Sequence, residues 1–201
     1  GCVIERPKVI YNEKTKKFVM WFHLELKGQG YKSAEYGVAE SDTPAGPFRF
    51  LYASRSCPGV WPENMTEAEI TKAKSLKEPD RKDKEWKQYV KDGVWVARDL
   101  ETGQMARDMT LFVDDDGKAY HIFSSEENHT LHIVELTDDY LRDTDRYVRI
   151  LPGGHNEAPA IFKKEGVYWM ITSGCTGWKP NAARLSKATS IWGPWETRSN
   201  P

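Results

Sequence analysis

Glu5-Arg6-Pro7-Lys8-Val9-Ile10-Tyr11 has two counterparts later in this 201-residue chain: Arg107-Asp108-Met109-Thr110-Leu111-Phe112 and Glu157-Ala158-Pro159-Ala160-Ile161-Phe162. Each stretch sets a carboxylate at the entrance of an apolar strand. Each then runs through a polar turn into a second apolar strand. Such a repeat governs the reading of the rest, because one unit buries its apolar face only against a neighbouring unit. Acids at matching points of a repeated unit point to one shared site.

Working outward, the first unit spans about Glu5 to Leu51. Val9–Tyr11, the turn Asn12-Glu13-Lys14-Thr15 and Phe18–His23 predict a hairpin. Tyr36–Ser41 predicts a third strand, and Gly46-Pro47-Phe48 leads into an outer strand, Phe48–Leu51. The second unit repeats the plan with Met109–Val113, the turn Asp114-Asp115-Asp116-Gly117, Ala119–Ser124, Leu131–Leu136 and Tyr147–Ile150. The third does so with Ala160–Lys163, the turn Lys164-Glu165-Gly166, Tyr168–Thr172 and Ala182–Ala188, after which Gly193-Pro194-Trp195 echoes Gly46-Pro47-Phe48. Four short antiparallel strands per unit predict an all-β chain built of β-propeller blades. About three blades are present, and a closed ring takes about four to eight. Residues 1–201 are therefore expected to form part of a single propeller domain with blades missing at one or both ends.

Residues 54–104 break the pattern and predict an inserted, partly helical loop between blades. Thr66-Glu67-Ala68-Glu69 reads as a capping box with helix following to about Lys77. Pro79 to Lys91 reads as a second helix, opened by proline and stopped near Gly93. The charge-rich run Lys77–Asp92 reads as a solvated face. The insertion joins the outer strand of one blade to the inner strand of the next, so it is expected on the same face as Asp108.

Composition narrows the function. Lys and Arg number 29 against 30 Asp and Glu, a formal net charge of -1. That balance gives no case for a nucleic-acid or membrane-surface partner. No apolar run approaches the roughly 20 residues of a membrane helix. The opening Gly1-Cys2-Val3-Ile4-Glu5 shows no signal peptide and enters a strand at once. Cys2, Cys57 and Cys175 make an odd set that does not read as a disulfide framework, and no spacing suggests zinc. Eight Trp, nine Tyr and seven Phe supply core and also flat platforms for the apolar faces of sugars.

In a propeller the first strand of every blade lines the axis and enters from one face. Glu5, Asp108 and Glu157 are thereby expected to converge at the axial mouth. Like charges raise one another's pKa, and a raised carboxyl pKa suits a general acid near neutral pH. Glycoside hydrolysis needs such an acid and a second group that activates water or attacks. Bland alternatives stand beside this: Asp108 pairing with Arg107, Glu5 with Arg6, and Glu157 accepting backbone hydrogen bonds. Trp178 reads either as a sugar platform or as packing between blades. His155 adjoins the Glu157 motif and reads as a substrate contact, with His23 and His121 considered beside it. Asn128-His129-Thr130 matches a glycosylation sequon.

The chain resembles glycoside hydrolase family 43 in Glu5–Asn12, Ala106–Phe112, Leu136-Thr137-Asp138-Asp139-Tyr140-Leu141, Asn156–Ala160 and Thr172–Trp178. It looks most like the branch of exo-β-1,3-galactanases and related arabinofuranosidases and galactosidases. The resemblance implies a five-bladed propeller and an inverting glycosidase. It implies Glu157 as general acid, Asp108 as modulator of its pKa and Glu5 as a substrate-binding glutamate. The base it implies is an aspartate upstream of Gly1 or a glutamine beyond Pro201. It implies an oligo- or polysaccharide substrate with galactose or arabinose at the cleaved end, and an extracellular or periplasmic location. No cofactor is implied; some members carry an axial calcium, and no ligand set here identifies one. The alternative reading is a non-catalytic carbohydrate-binding propeller.

Overall fold

In the computed structural model, which describes residues 1–80 and 83–198, three four-stranded antiparallel sheets each follow chain order. The first holds β1 (Val3–Asn12), β2 (Lys17–Glu25), β3 (Glu35–Ser41) and β4 (Arg49–Ser54). The second holds β5 (Met109–Val113), β6 (Ala119–Ser125), β7 (Thr130–Leu136) and β8 (Asp143–Ile150). The third holds β9 (Asn156–Lys164), β10 (Val167–Gly174), β11 (Arg184–Ala188) and β12 (Glu196–Thr197). β1 packs beside β5, and β5 beside β9, so the first strand of each sheet lies innermost. This is an all-β propeller arrangement of three blades. Gly46-Pro47 and Gly193-Pro194, the echo seen in the sequence, both carry cis peptide bonds.

The blades are joined by apolar side chains at period two along the strands. Val19 and Trp21 of β2 meet Met109, Leu111 and Phe123 of the second blade in one buried cluster. Trp21 stacks on Tyr36 at 4.6 Å between ring centroids and donates its indole N–H to the Tyr140 carbonyl at 2.9 Å. Tyr120, Ile122, Leu131 and Ile133 meet Tyr168, Met170 and Trp195 of the third blade in a second cluster. Each fully buried large side chain contributes about 1.5–3 kcal/mol, so these two seams hold the blades together. The faces of the end blades that point away from the middle one leave Phe50, Phe162 and Ile171 exposed.

The stretch between β4 and β5 carries three short helices, α1 (Glu67–Ser75), α2 (Trp86–Lys91) and α3 (Val94–Asp99). Ser56 and Gln104 close its base with a reciprocal pair of backbone hydrogen bonds of 3.0 and 2.6 Å. Thr66 and Glu69 form the capping box of α1. The second helix is shorter than the sequence suggests. It starts at Trp86, seven residues after Pro79, and of the residues in that expected span 81 and 82 lie outside those described. Asp83 instead makes a turn by accepting from the Glu85 amide at 2.8 Å. Gly93, at φ 76°, turns the chain into α3, which the sequence reading did not anticipate. The insertion is docked on the second blade: Asn64 makes paired bonds to the Arg149 backbone at 2.7 and 3.0 Å, and Arg149 reaches the Val90 carbonyl at 2.6 Å.

Candidate active site

Two of the three acids are carried by the same backbone device. In β1 the register slips between Glu5 and Lys8, and in β9 it slips between Glu157 and Ala160, so each glutamate opens a β-bulge. The residue after each glutamate is left-handed, Arg6 at φ 53° and Ala158 at φ 48°. A proline follows in both, where its missing N–H suits a gap in the ladder. The bulge turns the glutamate out of the sheet toward the axis. Asp108 has no bulge; it lies on the ladder, its carbonyl accepting from the Ser124 amide at 2.9 Å.

Asp108 ties the two bulges together. Its Oδ1 accepts from Arg6 Nε at 2.9 Å, and its Oδ2 lies 2.8 Å from Arg6 Nη2 and accepts from the Ala158 amide at 3.0 Å. Both strained residues are thus donors to one carboxylate. Charge-assisted bonds of this kind are about twice as strong as neutral ones and offset the cost of the left-handed backbone.

Glu5, Arg6, Asp108 and Glu157 line one cleft of about 500 Å³, with Trp178 at its rim. Glu5 accepts from the Tyr31 hydroxyl at 2.9 Å and faces His23 Nδ1 at 3.3 Å. Behind it, His23 Nε2 lies 2.8 Å from the fully buried Glu25, whose other oxygen accepts from the Ala34 amide at 3.0 Å. Glu157 accepts from Asn128 Nδ2 at 2.9 Å. Its pKa is raised, first by burial and then by the charge of Asp108, against the pull of the nearby Cys175 thiol and of Arg6 and Arg107. Burial and the Glu157 carboxylate push the Cys175 thiol up to about 12, so it remains a protonated donor.

The ion pairs between sequence neighbours do not form. Asp108 pairs with Arg6 across blades, while Arg107 turns away to the Tyr31 carbonyl at 2.9 Å and to Glu127 at 3.1 Å. Glu5 takes Tyr31 and His23 rather than Arg6. Trp178 is 94% exposed and packs against none of the three blades described. Asn181, whose side chain accepts from the Gly174 amide at 2.7 Å, shapes the loop that presents it.

His155 lies elsewhere. It lines a neighbouring cleft with Trp86, Trp95 and His129, its Nε2 2.5 Å from His129 Nδ1. Burial lowers the pKa of both imidazoles, that of His129 to about 4. His121 is buried in the seam between the first two blades. The Asn128 sequon amide is engaged on Glu157. Tyr31 and the role of Asn128 were missed by sequence reasoning; Asn128 stood out only as part of a sequon, and Tyr31 lies in a glycine-flanked loop with no signal. Among the described residues no group of three His, Cys, Asp or Glu is placed to hold a metal, and no helix is long and apolar enough to cross a membrane.

The family model for glycosyl hydrolases family 43 matches residues 60–201. A solved family 43 β-1,3-galactosidase with galactodeoxynojirimycin is 61% identical, with TM-score 0.94, over 100% of this chain and 59% of its own. An exo-β-1,3-galactanase from Clostridium thermocellum is 35% identical, with TM-score 0.73, over 97% of this chain and 35% of its own. A β-D-galactofuranosidase of Aspergillus niger is 33% identical over 88 residues, 44% of this chain and 25% of that protein. The chain thus spans 59% of the first of these structures and less of the other two proteins.

Proposed function

The chain belongs to glycosyl hydrolases family 43, and from that premise we propose that the protein is an inverting exo-glycosidase releasing terminal galactose from β-1,3-linked galactan. The observation that carries the reading is the interlocked acid set. Glu157, with a raised pKa, stands in one cleft with Asp108 and Glu5, in a chain 61% identical along its whole length to a β-1,3-galactosidase.

Glu157 donates its carboxyl proton to the glycosidic oxygen as the bond to the anomeric carbon breaks. Asp108, paired with Arg6, keeps that proton on Glu157 until it is needed and fixes the strand through the Ala158 amide. Glu5, set by Tyr31 and His23, accepts hydrogen bonds from the hydroxyls of the terminal sugar. Trp178 offers a flat face to the sugar at the rim. A base outside residues 1–201 activates water from the opposite side, about 6.5–9.5 Å from the acid as inversion requires. No organic cofactor enters this scheme. A polymeric substrate supports an extracellular or periplasmic location.

The test is hydrolysis by the full-length protein of aryl β-galactopyranoside, α-arabinofuranoside, β-galactofuranoside and β-xyloside, beside β-1,3-galactobiose. Turnover of the β-galactopyranoside and the disaccharide is expected. Turnover of the arabinofuranoside or galactofuranoside alone would overturn the sugar assignment. Sugar binding with no turnover on any would favour a binding propeller.

A further inference from the structure

The turn between β6 and β7 holds three consecutive non-glycine residues in the left-handed region: Glu126 at φ 52°, Glu127 at φ 56° and Asn128 at φ 65°. Such backbone is costly and persists only where surrounding contacts over-determine it. Here they do. Glu126 is fully buried between Arg149, at 2.6 and 2.7 Å, and His132, at 2.9 Å. Glu127 is held by Arg98 at 3.0 Å and Arg107 at 3.1 Å. Asn128, third in the run, crosses from the second blade to the third and donates to Oε1 of Glu157 at 2.9 Å. Its own carbonyl receives the Cys175 thiol at 3.9 Å.

We propose that Asn128 is a positioning residue for the general acid, and that the strained turn exists to place its carboxamide. The inference rests on the reading of Glu157 as the acid. A carboxyl group has two oxygens, and only one can carry the proton toward the leaving group. An N–H donor on Oε1 makes that oxygen the acceptor and assigns the proton to Oε2. It also fixes the plane of the carboxyl group, which sets the direction of proton delivery. A general acid held off its line loses transition-state stabilisation while substrate binding is untouched.

The experiment compares Asn128→Ala and the near-isosteric Asn128→Asp with Glu157→Ala in the full-length protein. Each is assayed on a β-1,3-linked disaccharide, whose leaving group needs a proton, and on a dinitrophenyl glycoside, whose leaving group does not. Asn128→Ala is expected to lose roughly 10–100-fold in kcat on the disaccharide, a fraction of what general acid catalysis supplies, with KM little changed. Loss on the dinitrophenyl glycoside stays within about twofold, the pattern of a variant whose defect is confined to proton donation. Removing a hydrogen bond to the carboxylate raises the pKa of Glu157, so the basic limb of the pH profile moves up. Asn128→Asp, which adds a negative charge, moves it up further. Equal loss on both substrates, or no loss on either, overturns the proposal. Glu157→Ala reports separately: if it lacks the dependence on leaving group, the acid assignment itself falls and takes this inference with it.

Discussion

Glu5 and Glu157 stand on the same backbone, a glutamate before a left-handed residue and a proline, yet the protein surrounds them differently. Glu5 meets a tyrosine hydroxyl and an imidazole backed by the buried Glu25. Glu157 meets a neutral carboxamide and a protonated thiol, in partial burial close to the charge of Asp108. The bulge provides placement and the neighbours provide the role. A hydroxyl and an imidazole fix the carboxyl plane of Glu5 for contacts with sugar hydroxyls; burial and a nearby like charge suit a group that must keep a proton.

The largest expected effects test this division directly. Glu157→Gln should lower turnover of the disaccharide by about 10²–10⁴-fold with sugar binding retained, because an amide cannot deliver a proton. Glu5→Gln should lower kcat/KM by roughly 10–100-fold, the loss of a hydrogen bond to a charged group, equally for good and poor leaving groups. A dependence on leaving group in Glu5→Gln, and its absence in Glu157→Gln, would exchange the two roles.

A second carboxyl–imidazole contrast lies in the seam of the first two blades. His23 sits at the cleft, but His121 is buried with Nδ1 4.0 Å from Oδ1 of Asp143. Burial raises Asp143 to about 7, against a hydrogen bond from Ser56, and lowers His121 to about 3. Between the ordinary pKa values of the two side chains, about 4 and 6.5, the unfolded chain holds one proton on this pair, on histidine. The folded chain also holds one, on aspartate. Equal proton counts give no slope of stability against pH. Between about 6.5 and 7 the folded state binds more protons and stability from this pair falls as pH rises; between about 4 and 3 the unfolded state binds more and stability falls as pH drops. Asp143→Asn removes one half. Only the depressed His121 remains, whose contribution is present above its unfolded pKa and lost as pH falls. Stability of the variant relative to the parent protein should then rise between pH 4 and 6 by up to about 1.4 kcal/mol per pH unit. Denaturation midpoints across that range check it, and a parallel dependence in the two proteins would show that the pair is not coupled as described.

Much of this architecture was legible in the chain, because strand periodicity and turn residues are local signals. The three hairpins, the capping box at Thr66 and the Gly-Pro echo all lie within a few residues of their cause. Glu157 and Asp108 were legible as candidates for the same reason: a repeat marks matching positions without any knowledge of contacts. What was not legible is pairing across blades. Arg6 lies beside Glu5 in sequence but binds Asp108, 102 residues away. Asn128 reaches Glu157 over 29 residues, and the sequence showed only its sequon. The short α2 was misread because a charged run has helix formers in it, while Pro79 and the Asp83 turn decide otherwise.

The smallest expected effect sharpens the comparison most finely. Arg6 and Ala158 occupy matched left-handed positions, and glycine would relieve both. A non-glycine residue there costs about 1–2 kcal/mol, while glycine forfeits about 0.5–1 kcal/mol of backbone entropy. Ala158→Gly should therefore stabilise the full-length protein by roughly 0.5 kcal/mol, since the Ala158 amide that serves Asp108 is retained. Arg6→Gly relieves the same strain but removes both guanidinium contacts to Asp108. Hydrogen bonds to charged groups contribute about 1.5–3 kcal/mol, less at this half-exposed position, so the net change should be neutral or destabilising. The same substitution at equivalent positions then gives opposite signs in chemical denaturation. Equal stabilisation by both would mean that Arg6 contributes nothing to holding Asp108, and that the two bulges are matched in energy as well as in shape.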